Sequence, residues 1–149
     1  MARISVQAED FDVGAEFAAL RGARAGIGGI GCFVGTVRDN PRDRLVAMTL
    51  EHYPGMTERA IRRIAEEAEN RWNLHGCTVI HRVGRLAAAE NIVLVLVAAA
   101  HRHAALEATA FLIDWLKTKA PLWKKEEFAS GATSWVEARG EDDAAAERW

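Results

Sequence analysis

The sequence is poor in the features that mark several whole classes of protein. Two cysteines, Cys32 and Cys77, make neither a disulfide framework nor a metal knuckle. The longest apolar run, Ile92 to Ala100, has nine residues, against the roughly 20 that a membrane span needs. The opening Met1-Ala2-Arg3-Ile4 lacks the apolar stretch of a secretion signal. Lys and Arg number 19 against 21 Asp and Glu, a formal charge of −2, without the basic excess of a general nucleic-acid binder. No internal repeat and no linker interrupts the chain. These absences predict a soluble, cytoplasmic chain of one domain over residues 1–149, with a tail from 139 to 149.

Half of the residues are hydrophobic, but 28 of the 149 are alanine, so the core is of moderate size. Residues 2–6 alternate weakly as a first strand, and Asp12 is placed to cap a short helix over Ala15 to Arg24, with Phe17 and Leu20 inward. Cys32 to Val37 reads as a strand, and Asp39 to Arg44 as a polar, mobile loop. Val46 to Tyr53 alternates as a strand with Val46, Met48 and Leu50 on one face. Beyond Pro54, Ile61, Ile64, Ala65, Ala68 and Trp72 form the apolar stripe of a helix. Cys77 to Val83 and Ile92 to Ala98 are strands; the second is continuously apolar and is expected to be central, covered on both faces. A second long helix runs from Ala104 to Lys119, with Ala108, Phe111, Leu112, Trp115 and Leu116 inward, and Pro121 ends it. Leu122 to Phe128 and Thr133 to Val136 are closing strands around Gly131, and the acidic tail from Glu141 is helical. The pattern predicts an α+β protein with a mostly antiparallel sheet and two principal helices.

Among the basic residues, 15 are arginine and four are lysine, and all four lysines lie between Lys117 and Lys125. Where a bare positive charge suffices, this chain uses arginine. Lysine differs because its pKa falls on burial and its amine can act as acid, base or nucleophile. Lys119 and Lys125 fit a solvated helix end and its surroundings. Lys117 and Lys124 can converge across the turn at Pro121 and are the candidates for chemistry. His101 and Arg102 stand where the apolar strand gives way to a helix N-terminus, a natural anion site; a capping histidine and a surface ion pair explain them equally well. Arg38 ends the glycine-bearing strand. Together Arg38, His101, Arg102, Lys117 and Lys124 suit an anionic, phosphorylated small substrate.

Other motifs are set aside. Gly26, Gly28 and Gly31 spell G-x-G-x-x-G, but they precede a strand and open no helix, the reverse of the dinucleotide fingerprint. His101 and His103 lack the company a zinc site needs, and no metal or cofactor is expected. Cys32 and Cys77 read as inert core thiols, and His52 and His81 as structural.

Five segments carry a resemblance. Thr49-Leu50-Glu51-His52-Tyr53-Pro54-Gly55-Met56-Thr57, Val79 to Gly84, Ala100-His101-Arg102, Leu116 to Glu126 and Trp135 to Arg139 resemble, in order, the large catalytic subunit of molybdopterin synthase. The likeness runs from about Ile30 to Arg139. It implies a sulfurtransferase that converts cyclic pyranopterin monophosphate into molybdopterin by installing a dithiolene. The sulfur donor would be a small ubiquitin-like carrier subunit with a C-terminal Gly-Gly thiocarboxylate, and the assembly a heterotetramer around a homodimer of this chain. By the same resemblance Lys117 and Lys124 are catalytic. Thr36, Val37, Arg38, His101, Arg102, Lys125 and Glu126 would contact substrate, and Arg139 would reach toward the neighbouring protomer's site. Lys117, desolvated among other cations, is expected to have a lowered pKa. The loop from Asp39 to Arg44 departs from the family pattern. A binding module that docks the carrier without catalysis, and a phosphate-ligand enzyme unrelated to sulfur, remain the rival readings.

Overall fold

A computed structural model of the chain describes residues 2–136 and 140–149. In chain order the elements are β1 (Arg3–Gln7), α1 (Val13–Arg21), β2 (Gly29–Thr36), β3 (Leu45–His52), α2 (Met56–Trp72), β4 (Gly76–Arg82), β5 (Gly84–Leu86), β6 (Asn91–Ala99), α3 (Arg102–Thr118), β7 (Leu122–Phe128), β8 (Thr133–Trp135) and α4 (Gly140–Glu147). The strands divide between two four-stranded sheets, β1-β4-β6-β2 and β5-β3-β7-β8, here called sheets A and B. Among the described residues only the β1–β4 pairing is parallel. The expected α+β class is what is found, with its antiparallel strands in two sheets rather than one. Among the described residues no helix is long and apolar enough to cross a membrane.

Sheet A holds the core because its central strands are apolar on both faces. Val93, Val95 and Val97 of β6 join Cys77 and Val79 of β4 in one cluster with α2 and α3. Leu94, Leu96 and Ala98 join Ile80 in a second cluster, under α1. A strand whose successive side chains both find cover reads as an unbroken apolar run. Asp12 caps α1 as expected, its carboxylate accepting from the Ala15 N–H at 3.0 Å. On α2 the buried side chains include Ile61, Ile64, Ala65 and Ala68, and Trp72 is half-buried. Arg82 is buried too, and its guanidinium donates to the carbonyls of Ala8 and Asn91, clasping the ends of β1 and β6.

The glycines around β2 have a packing role. A Cβ on Gly28 would lie 1.9 Å from the Ala100 carbonyl oxygen, and one on Gly31 would lie 2.3 Å from the Thr109 hydroxyl. Their absence lets α3 lie directly on β2, and the two elements run in the same direction.

Three expectations need correction. Val46, Met48 and Leu50 do not share a buried face. The β3–β7 register shifts between Leu45 and Ala47, so Leu45 and Ala47 go inside and Val46 is left exposed; a bulge breaks the two-residue period. Cys32 is exposed on β2, an edge strand, while Cys77 is buried as expected; burial pushes the Cys77 thiol up to about 12. The loop from Asp39 to Arg44 is tied rather than free. The Asp39 carboxylate accepts from the Leu45 and Asn40 N–H groups, each at 2.7 Å, and those bonds hold it below the usual carboxylate range. Ser130 donates to Asp43 from across the loop. The short β5 was not anticipated; three residues are too few for a periodic signal.

Candidate active site

At the C-terminal end of α3 the chain turns sharply into β7. The Lys119 and Ala120 N–H groups both donate to the Trp115 carbonyl, and Pro121 follows. Thr57, fully buried at the start of α2, donates its hydroxyl to the Pro121 carbonyl and accepts from the Tyr53 N–H, each at 2.9 Å. This bond pair holds the turn against the loop between β3 and α2. Beyond it β7 alternates strictly. Leu122, Lys124, Glu126 and Phe128 face inward and line a cavity of about 680 Å³. Trp123, Lys125 and Glu127 occupy the other face.

Lys117 enters the same cavity from the last turn of α3, Thr36 and Arg38 from the end of β2, Met48 from β3, and Asp142 from α4. The Lys117 amine lies within hydrogen-bonding reach of the Lys124 amine. Burial, followed by the charge and hydrogen bond of Lys117, brings Lys124 down to about 8, against the opposing pull of Asp142 and Glu126. Lys124, on the strand, is thus an amine of lowered basicity inside the cavity. His81 of β4, 4% exposed, donates from Nδ1 to the Arg82 carbonyl at 2.8 Å. Burial pushes it down to about 4, and the charges of Lys124 and Lys117 add to the effect. Two amines crowded together in a partly desolvated space strongly favour an incoming anion, and an amine that titrates at about 8 can exchange a proton more readily than an ordinary lysine.

Several singled-out residues lie elsewhere. Val37 is 2% exposed and packs in the core; its N–H donates to the Glu90 carbonyl and its own carbonyl accepts from Ala89. Lys125, half-buried in the middle of β7 rather than at a solvated helix end, stays outside the cavity, its amine 6.0 Å from the centre of the Trp135 ring. His101 and Arg102 are exposed at the far end of α3. At 1.5 Å per residue they are about 22 Å from Lys117 along the helix, so within one chain they do not share the cavity. Arg139 lies outside the described residues. Sequence reasoning missed Met48, Thr57 and Asp142. Met48 carried a usable signal in the alternation of β3; Thr57 and Asp142 acquire their roles only from partners distant in sequence.

Comparison with known proteins places this geometry in context. A family model described as MoaE protein matches residues 6–119. The molybdopterin synthase catalytic subunit of Mesorhizobium japonicum is 53% identical over 147 residues, covering 98% of this chain and 92% of the relative. The solved structure of the molybdopterin biosynthesis MoaE protein from Burkholderia ambifaria superposes with a TM-score of 0.85 at 51% identity, covering 100% of this chain and 98% of that one. Molybdopterin synthase from Staphylococcus aureus superposes at 0.77 with 26% identity, over 90% of this chain and 95% of that one.

Proposed function

The chain belongs to the MoaE family, and from that premise we propose that residues 1–149 act as one domain, the catalytic subunit of a cytoplasmic molybdopterin synthase. It transfers two sulfurs from the Gly-Gly thiocarboxylate of a small ubiquitin-like carrier to cyclic pyranopterin monophosphate, forming the dithiolene of molybdopterin. The observation that carries this reading is the meeting of two amines, Lys117 and Lys124, in a cavity that also holds Arg38. Arg38, with Thr36 beside it, binds the substrate phosphate. Lys124 neutralises charge on the carrier tail or on the leaving oxygen. Lys117 assists attack of the thiocarboxylate sulfur, by proton transfer or by polarising the acyl group. Glu126, on the same face of β7, contacts the substrate beside Lys124, and Lys125 acts from outside the cavity.

The test is reconstitution with thiocarboxylated carrier and cyclic pyranopterin monophosphate. Lys117→Ala should fold and bind the carrier yet form no dithiolene, and near-normal turnover by that variant overturns the reading. Lys117→Arg keeps the charge and should also be inactive, because guanidinium does not exchange protons at neutral pH. Carrier binding by the unaltered chain without product would favour a binding module. No affinity for the carrier would favour an unrelated phosphate enzyme.

His101 and Arg102 enter this reading from a second copy of the chain. β2 is an edge strand of sheet A, and two-fold pairing through it would run antiparallel, setting the start of one β2 beside the end of the other. Because α3 follows β2, the second copy's helix N-terminus would then arrive near Thr36 and Arg38 of the first. Arg139 is assigned to the same shared site. Lys117→Ala and Arg102→Ala chains, each inactive alone, should regain about a quarter of normal activity when mixed equally, since half the dimers then hold one intact site of two. No recovery would place His101 and Arg102 outside the site.

A further inference from the structure

We propose that Asp142 is a positioning residue for the lysine pair: α4, strapped along α3 through Trp149, carries its carboxylate into the cavity as the counter-ion of Lys124. The strap is built from aromatic rings and ion pairs. Trp149 packs edge-on to Trp72 and Phe111, with ring centres 5.7 Å from each. Its indole N–H donates to the Asp114 carboxylate on α3 at 2.6 Å, and Arg148 lies 3.7 Å from the same group. The Arg71 guanidinium of α2 covers the Trp72 ring at 4.8 Å and donates to the Trp149 carbonyl at 3.4 Å. Ala146 is buried beneath α4. An eight-residue helix is too short to hold itself, so these anchors decide where its first turn lies. That turn carries Glu141, Asp142 and Asp143. Asp142 alone of the three lines the cavity, and it is half-buried while the other two are exposed.

The charged and titratable groups around Lys124 come from every neighbouring element. Lys117 approaches from α3, Arg38 and Asp39 from the segment after β2, and Glu126 from β7 itself. His81 faces it from β4 and His52 from β3. Among these groups Asp142 helps to keep Lys124 protonated. With its pKa at about 8, Lys124 keeps a charged fraction well above half at pH 7. Loss of Asp142 lowers that fraction and weakens neutralisation of the incoming tail.

The catalytic consequence rests on the function proposed above, but the electrostatic one does not, so the decisive measurement needs no substrate. In full-length protein with isotope-labelled lysines, NMR titration of Asp142→Asn should show Lys124 titrating at lower pH than in the unaltered protein, with Lys119 and Lys125 unmoved. Asp142→Glu should restore the titration. A chain stopped at Glu147, lacking Arg148 and Trp149, should shift in the same direction as Asp142→Asn. In the reconstituted reaction the alkaline limb of the pH–rate profile should move down with the titration. An unshifted Lys124 in Asp142→Asn overturns the proposal, even if the rate falls. An unshifted Lys124 in the shortened chain overturns the strap. A shifted titration in a protein that makes no dithiolene would instead count against the proposed function.

Discussion

Strands β6 and β7 are nine and seven residues long, and each pairs with strands on both sides, yet they are built on opposite principles. In β6 every residue from Ile92 to Ala99 is buried. In β7, reading Leu-Trp-Lys-Lys-Glu-Glu-Phe, none is fully buried. Sheet A, sandwiched between helices, stabilises the fold through apolar side chains on both faces. Sheet B turns one face of β7 toward a cavity and leaves the other open to solvent, so it can afford charge where sheet A cannot. The contrast teaches where stability resides and where the proposed chemistry would: the first in strands that exclude water, the second in a strand that follows the turn after α3.

The largest expected effect tests the first half of that contrast. Leu94→Ala in the middle of β6, where Leu94 is 0% exposed, should cost about 3–5 kcal/mol in urea unfolding. A cost below about 1 kcal/mol would mean that sheet A is not the principal core. Next comes the buried His81 of β4. Its folded pKa, about 4, lies below its ordinary 6.5. The unfolded chain therefore takes up the proton first as pH falls. Stability should be full above about pH 6.5 and decline between there and pH 4, by up to about 3 kcal/mol. Urea midpoints measured across that window should flatten in His81→Gln. The smallest effect has the opposite sign. Lys124 is depressed from 10.5 to about 8, so at pH 7 its buried ammonium opposes folding. Lys124→Met should raise stability by roughly 1–3 kcal/mol while abolishing dithiolene formation. A destabilised Lys124→Met would show that the amine is structural.

Much of the fold was legible because hydrophobic period is a local property. The helix stripes of α2 and α3, the doubly covered β6 and the Asp12 cap are all properties of neighbouring residues. Pairing partners were not legible, which is why the division into two sheets, the bulge at Val46 and the exposure of Cys32 came only from the structure. The site divides the same way. The segregation of lysine from arginine pointed to Lys117 and Lys124 without any coordinates. It could not reveal how far burial lowers the basicity of Lys124, because desolvation depends on what closes over a group from other elements. Nor could it separate the two ends of α3, since Arg102 and Lys117 both stand at an element boundary and differ only in which end of a helix about 25 Å long they occupy.

Composition and spacing alone indicated the class of the fold, the central strand and the lysine pair, because each is written in residue type and short-range order, and five matching segments carried the likeness to a known family. Tertiary structure decided which of the marked residues meet. It seated Lys124 beside Lys117, brought Asp142 in from a distant helix, sank Val37 into the core and kept Lys125 outside. The reason is geometric: a side chain's neighbours across a cavity are chosen by sheet register and helix packing, and these join positions that the linear order keeps far apart.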